Sequence, residues 1–169
     1  MKNNKETKLL NLSVKGLWFF GLSGSGKTTS ANYLKKYIFK NSILLDGDLI
    51  RKHVSTDLGY ELSDRIIQIN RILGMCKICI DSNIFPICSS VYMNKKTINS
   101  LNNINIIPIK IERDFNELKN SKIYKNNRDV VGVDLNYEKN LEVTIIKNFH
   151  KDQLYKSIEN LIEKNRVID

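Results

Sequence analysis

No apolar run in these 169 residues approaches the roughly 18 that a membrane-crossing helix needs. The first residues also lack the charged, apolar and small-residue regions of a secretory signal. The sequence therefore predicts a soluble, cytoplasmic protein with no membrane partner. Cysteine is scarce, and the three present, Cys76, Cys79 and Cys88, make an odd number that argues against a disulfide framework. Cys76 and Cys79 are spaced C-x-x-C, yet they fall in an apolar helical pattern with no second Cys or His pair nearby, so they read as small core residues. A dense basic run is missing too, although 27 Lys and Arg against 18 Asp and Glu leave a net charge of +9. The lysines are scattered among asparagines and isoleucines without interleaved aromatics. That pattern suits an anionic small-molecule substrate, and no polynucleotide partner is expected. There are no internal repeats, and 41% hydrophobic content at this length fits one globular domain.

What is present centres on Gly21-Leu22-Ser23-Gly24-Ser25-Gly26-Lys27-Thr28, a full G-x-x-x-x-G-K-S/T phosphate loop. The apolar run Leu17-Trp18-Phe19-Phe20 before it reads as a buried strand, and Thr29 to Lys40 after it as a helix with Ala31, Leu34, Tyr37 and Ile38 inward. Such glycines let backbone N–H groups turn inward around an anion, and the helix N-terminus adds its positive dipole end. Gly21, Ser23, Gly24, Ser25, Gly26, Lys27, Thr28 and Thr29 are thus predicted to hold ATP. Lys27 reaches the β and γ phosphates, and the Thr28 hydroxyl is a ligand for Mg²⁺.

Residues 1–15 are polar and weakly patterned and read as an N-terminal arm, with residues 16–169 as the single domain. Ile43-Leu44-Leu45 is a second strand ending in Asp46-Gly47-Asp48, which puts two carboxylates where an open α/β sheet collects its ligands. Asp-Gly is also a favoured turn pair, so an ordinary turn is the plain alternative. Ser63 to Asp81 reads as a helix with Ser63 and Asp64 as candidate caps. Ile84 to Cys88, Ile106 to Ile111 and Leu141 to Ile146 are further strands, with Pro108 pointing to an edge or a bulge in the fourth. Asn94 to Leu101, Asp114 to Asn120 and Asp152 to Lys164 are helices. Ser121 to Glu138 loses periodicity and gathers basic residues, as a short mobile lid would. Alternating strands and helices predict a three-layer α/β domain on a parallel five-stranded sheet.

With these landmarks the chain resembles the adenylylsulfate kinases from Leu17 to about Glu138. These phosphate-loop kinases phosphorylate the ribose 3′-hydroxyl of adenosine 5′-phosphosulfate. The resemblance is carried by the phosphate loop, by Leu45-Asp46-Gly47-Asp48 with Arg51, by Asp57-Leu58-Gly59-Tyr60, and by Ser63-Asp64-Arg65. Weaker echoes are Ser90 with Tyr92, Ile123-Tyr124-Lys125, and Gly132-Val133-Asp134 followed by Tyr137-Glu138. It implies a P-loop kinase fold, with Asp46, Asp48 and Lys27 catalytic, and Thr28 and Asp46 at the Mg²⁺. Arg51 and Arg65 resemble the guanidiniums that grip the phosphosulfate, a task that suits a planar fork of donors. Tyr60 stands where the family places an aromatic under the base. Gln68 and Ser90 fall on the substrate side, and Lys125 and Arg128 resemble lid cations.

The departures bear on the acceptor. The family's N-x-x-R stretch appears as Gln68 with Arg71, and its Ser-Pro-Tyr-Arg run as Ser90-Val91-Tyr92-Met93. The lid is shorter, and the phenylalanine that packs over adenine appears as Val130. Family branches serve surface-polysaccharide modification, one of them phosphorylating cytidine diphosphoramidate. A smaller pyrimidine suits Tyr60 with Val130. The expectation is an ATP-dependent 3′-hydroxyl kinase of an activated nucleotide, cytidine diphosphoramidate first and adenosine 5′-phosphosulfate second, with a homodimer as the candidate assembly. A phosphate-loop ATPase or nucleic-acid-associated switch, and a binding subunit without activity, are the readings from other classes.

Overall fold

The run Gly16–Phe20 forms β1, and every one of its residues is buried. It lies at the middle of a five-stranded sheet, because β3 (Phe85–Ser90) pairs with it on one side and β4 (Ile106–Glu112) on the other, both parallel. β2 (Ser42–Asp46) extends the sheet beyond β3 and β5 (Thr144–Lys147) beyond β4, giving the all-parallel order β2-β3-β1-β4-β5. This computed structural model describes residues 13–36, 41–126, 129–136, 138 and 140–165.

β1 is apolar throughout because helices cover both faces of the sheet. Successive side chains point to opposite faces, so the run serves two cores at once. Trp18 and Phe20 pack with Ile69, Ile72 and Cys76 of α3 (Leu62–Asp81) and with Ile98 and Leu101 of α4 (Lys95–Asn103). Leu17 and Phe19 pack with Ala31 and Leu34 of α1 (Lys27–Lys35) and with Leu154, Ile158 and Ile162 of α7 (Lys151–Lys164). The inward stripe of the first helix is therefore seen at Ala31 and Leu34, while Tyr37 and Ile38 lie outside the described residues.

Several expectations are corrected. The Asp46-Gly47-Asp48 stretch opens a short helix, α2 (Gly47–His53), with Asp46 as its N-cap accepting from the Asp48 and Leu49 amides at 3.0 and 3.3 Å. Glu61, not Ser63 or Asp64, occupies the N-cap of α3 and makes no side-chain cap bond, which moves Ser63 and Asp64 into the first turn. The stretch after α5 (Phe115–Leu118) was expected to be irregular but contains a helix, α6 (Lys122–Asn126). Pro108 belongs to an interior strand with unbroken register to β1, so it marks no bulge. β5 pairs with β4 only from Ile109 onward, which leaves Pro108 with a strand on one side alone.

The start of the described chain is tied down at two points. The Ser13 amide donates to Asn165 O at 2.8 Å and the Lys15 amide to Asn105 O at 2.8 Å. The three cysteines are free and buried, with Cys76 and Cys88 sulfurs 3.1 Å apart, and burial pushes the Cys88 thiol well above its usual range. All three are core residues, as the spacing within an apolar helix suggested for Cys76 and Cys79. Among the described residues no helix is long and apolar enough to cross a membrane.

Candidate active site

The phosphate loop leaves β1 at Gly21, whose φ of +144° and whose closeness to the Ile111 carbonyl leave no room for a Cβ. Three of the loop's carbonyls accept side-chain hydrogen bonds. Leu22 O accepts from Lys27 Nζ at 2.8 Å, Ser23 O from the Tyr124 hydroxyl at 2.8 Å, and Ser25 O from Asn148 Nδ2 at 2.7 Å. α1 follows its N-cap Gly26 without a side-chain cap, so its first amides are left for an anion, whereas the Ser25 amide donates to Leu22 O at 3.1 Å. Lys27 is 8% exposed, and burial lowers its pKa to about 8 despite the opposing pull of Asp48 and Asp46.

Asp46, at the end of β2, joins three elements. Its Oδ1 accepts the two α2 amides, and its Oδ2 accepts Thr28 Oγ1 at 3.0 Å and Ser89 Oγ at 2.6 Å. Together these four donors fix the carboxylate's orientation. Thr28 and Asp46 are the oxygen donors that would hold a hard divalent cation, and they come from separate elements already in contact. No cluster of three or more His, Cys, Asp or Glu placed to hold a metal occurs among the described residues.

A cavity of about 820 Å³ runs from this centre to the far wall, bounded by Ser23, Gly24, Lys27, Thr28, Asp46 and Asp48 at one end. Arg51, Tyr60, Arg65, Gln68, Ser90 and Val130 line the remainder. The structure thus brings together most of the residues singled out from sequence. Arg51 Nη1 donates to Leu58 O at 3.4 Å and to Gly59 O, and its guanidinium lies 4.7 Å from the Tyr60 ring centre. Arg65 spans two walls: Nε donates to Tyr60 O at 2.9 Å and Nη2 to Asp129 O at 2.6 Å, beside the buried Val130. Gln68 Nε2 donates to Gly47 O at 3.1 Å. Ser90 Oγ accepts from Trp18 Nε1 at 2.8 Å and donates to Tyr92 O at 2.9 Å, so that hydroxyl serves the scaffold.

The loop carrying Tyr60 is braced from outside. Arg71 makes a two-point bond to Asp57 at 2.6 and 2.7 Å, and that guanidinium holds the Asp57 carboxyl down at about 2. Lys125 is exposed on α6 and does not line the cavity, Thr29 is exposed on α1, and Arg128 lies outside the described residues. The sequence reading gave no site role to Ser89, Tyr124, Asn148 or Asp129. Ser89 could have been noticed as the first of two serines ending a strand beside the phosphate loop. Asn148 carried no local signal, since its partner Ser25 is 123 residues away.

Comparison with known proteins places this geometry. The profile of the adenylylsulphate kinase family matches residues 14–147. The chain belongs to that family. It is 30% identical to the adenylyl-sulfate kinase of Clostridium acetobutylicum over 96% of this chain and 88% of the relative. The adenylyl-sulfate kinase of Buchnera aphidicola subsp. Schizaphis graminum is 36% identical over 72% of this chain and 65% of that one. In fold, the APS kinase CysC of Mycobacterium tuberculosis, solved with AMPPNP and APS, superposes with a TM-score of 0.77 at 20% identity, covering 89% of this chain and 98% of that one. Membership makes the chain a nucleotide kinase, a phosphotransferase built on the P-loop kinase fold.

Proposed function

We propose that this adenylylsulfate kinase family member transfers the γ-phosphoryl group of ATP to the ribose 3′-hydroxyl of cytidine diphosphoramidate, in the phosphoramidate modification of capsular polysaccharide. The observation that carries the transfer is the single cavity joining Lys27 and Asp46 to Arg51, Tyr60 and Arg65, which gives donor and acceptor one chamber. Lys27 and the loop amides hold the donor's phosphates. Asp46, locked by four hydrogen bonds, orients the attacking hydroxyl, with Asp48 beside it on the cavity wall. A hydroxyl needs a carboxylate more to aim it and take its proton late than to ionise it beforehand. Mg²⁺ held by Thr28 and Asp46 would supply charge neutralisation at the transferring group. Arg51 and Arg65 grip the acceptor's diphosphate-like portion, and Lys125 on α6 is the proposed lid cation.

The choice of cytidine is supported by the wall that Val130 forms, a half-size substitute for an aromatic ring. The second reading, phosphorylation of adenosine 5′-phosphosulfate, is favoured by the names of the relatives above. The reaction itself is tested with each acceptor and its 3′-deoxy counterpart under ATP and Mg²⁺. Incorporation of phosphate into the 3′-hydroxyl form alone supports the reading, and equal incorporation into the 3′-deoxy form overturns it.

A further inference from the structure

Three buried side-chain oxygens have no hydrogen-bond partner among the described residues: Ser25 Oγ, Ser55 Oγ and Gln68 Oε1. Of these three residues only Gln68 lines the active cavity. Its side chain is 4% exposed, and it sits one turn after Arg65 on α3. Its other amide atom is committed, since Nε2 donates to the carbonyl of Gly47, between Asp46 and Asp48. That bond decides which way the amide faces. Turning it over would set Oε1 against the Gly47 carbonyl, two acceptors with no hydrogen between them. Gln68 therefore presents an acceptor, and a buried acceptor left without a donor is costly.

We propose that Gln68 Oε1 is a specificity element that selects an acceptor nucleotide bringing an N–H to it. The inference rests on the kinase reading above. A sulfate or a deprotonated phosphate offers only acceptors and would repel this oxygen. Two groups on a nucleotide can supply the N–H: the exocyclic amine of cytosine or adenine, and the P–NH₂ of a phosphoramidate. Each satisfies Oε1 while Nε2 keeps its hold on Gly47.

Two acceptor pairs separate these sources. Cytidine diphosphoramidate against cytidine diphosphate exchanges the terminal NH₂ for oxygen, and cytidine diphosphoramidate against uridine diphosphoramidate exchanges the base amine for a carbonyl. With ATP and Mg²⁺, kcat/KM is measured for all three in wild type and in Gln68→Met, which keeps length but neither donates nor accepts strongly. Wild type is expected to favour cytidine diphosphoramidate over its partner in one pair by about 10-fold or more, as sites built around a hydrogen bond do. Gln68→Met should bring that ratio close to one while leaving the other pair's ratio in place, and the pair that collapses names the source. A purely structural role would lower all three acceptors together and preserve both ratios, which overturns the proposal. Wild-type ratios near one in both pairs overturn it without any variant. If wild type phosphorylates none of these three nucleotides, the cytidine reading above falls, and this inference with it.

Discussion

Lys27 holds its proton less firmly than a surface lysine, because burial outweighs the attraction of Asp48 and Asp46 and leaves its pKa at about 8 instead of 10.5. Between those values the unfolded chain binds more protons than the folded one, so the ligand-free protein should gain stability as pH rises from about 8 to 10.5. Nucleotide binding should run the opposite way. Polyphosphate restores the charged form, so ATP binding above pH 8 should take up protons and weaken as pH climbs, visible as a buffer-dependent heat in titration calorimetry. Heats that are the same in buffers of different ionisation enthalpy would contradict the assignment. Asp46→Asn is expected to cut turnover by about 10²-fold or more while sparing ATP affinity, since the amide cannot accept from all four present donors. Unchanged steady-state turnover would move the essential carboxylate elsewhere. At this scale the phosphate loop, Asp46, Arg51 and Arg65 were legible because a motif of fixed spacing encodes them. Ser89, Tyr124 and Asn148 were not, because they act through bonds to residues 43, 101 and 123 positions away.

The strands and long helices could be read from apolar runs and helical spacing, but the short helices could not. α2 follows an Asp-Gly pair that reads equally as a turn, and it exists because the Asp46 side chain caps two of its amides. α6 is five residues long, too short to show a period, and is held by Tyr124 against Ser23 and by a T-shaped contact with Phe115 at 5.5 Å. Beyond it the lid turns at Gly132, with φ of +92° and a position where a Cβ would lie 2.5 Å from Leu22 Cδ2 of the phosphate loop. Gly132→Ala must therefore strain the turn or lift it off the loop. The expected result is a KM for ATP raised by roughly 10-fold, on the scale of 1 kcal/mol or more of lost lid contact, with the melting temperature little changed. An unaltered KM would mean that the contact with Leu22 plays no part in closure.

Over the whole molecule, the excess of positive charge, +9, comes from lysines and arginines scattered along the sequence without a dense basic run. Acceptor binding should therefore weaken only modestly with salt, while a polynucleotide ligand would give a steep linear fall of log affinity with log salt. A steep slope with single-stranded DNA or RNA, followed by fluorescence anisotropy, would favour the nucleic-acid reading instead. The parallel sheet with helices on both faces followed from the alternation of elements. The acceptor does not follow from the architecture, because one P-loop kinase fold serves many acceptors and the difference resides in a few cavity-wall residues. Val130 is the most telling of them. A site with one aromatic and one aliphatic wall stacks a base once and packs it once, which reduces the advantage of a purine. The direct measurement is kcat/KM for cytidine diphosphoramidate and adenosine 5′-phosphosulfate in wild type and Val130→Phe. The account predicts that wild type prefers the cytidine acceptor and that the variant shifts the ratio toward adenine by about 10-fold, the worth of about 1 kcal/mol of restored stacking. A wild type that strongly prefers adenosine 5′-phosphosulfate, with a ratio that Val130→Phe leaves alone, would contradict it.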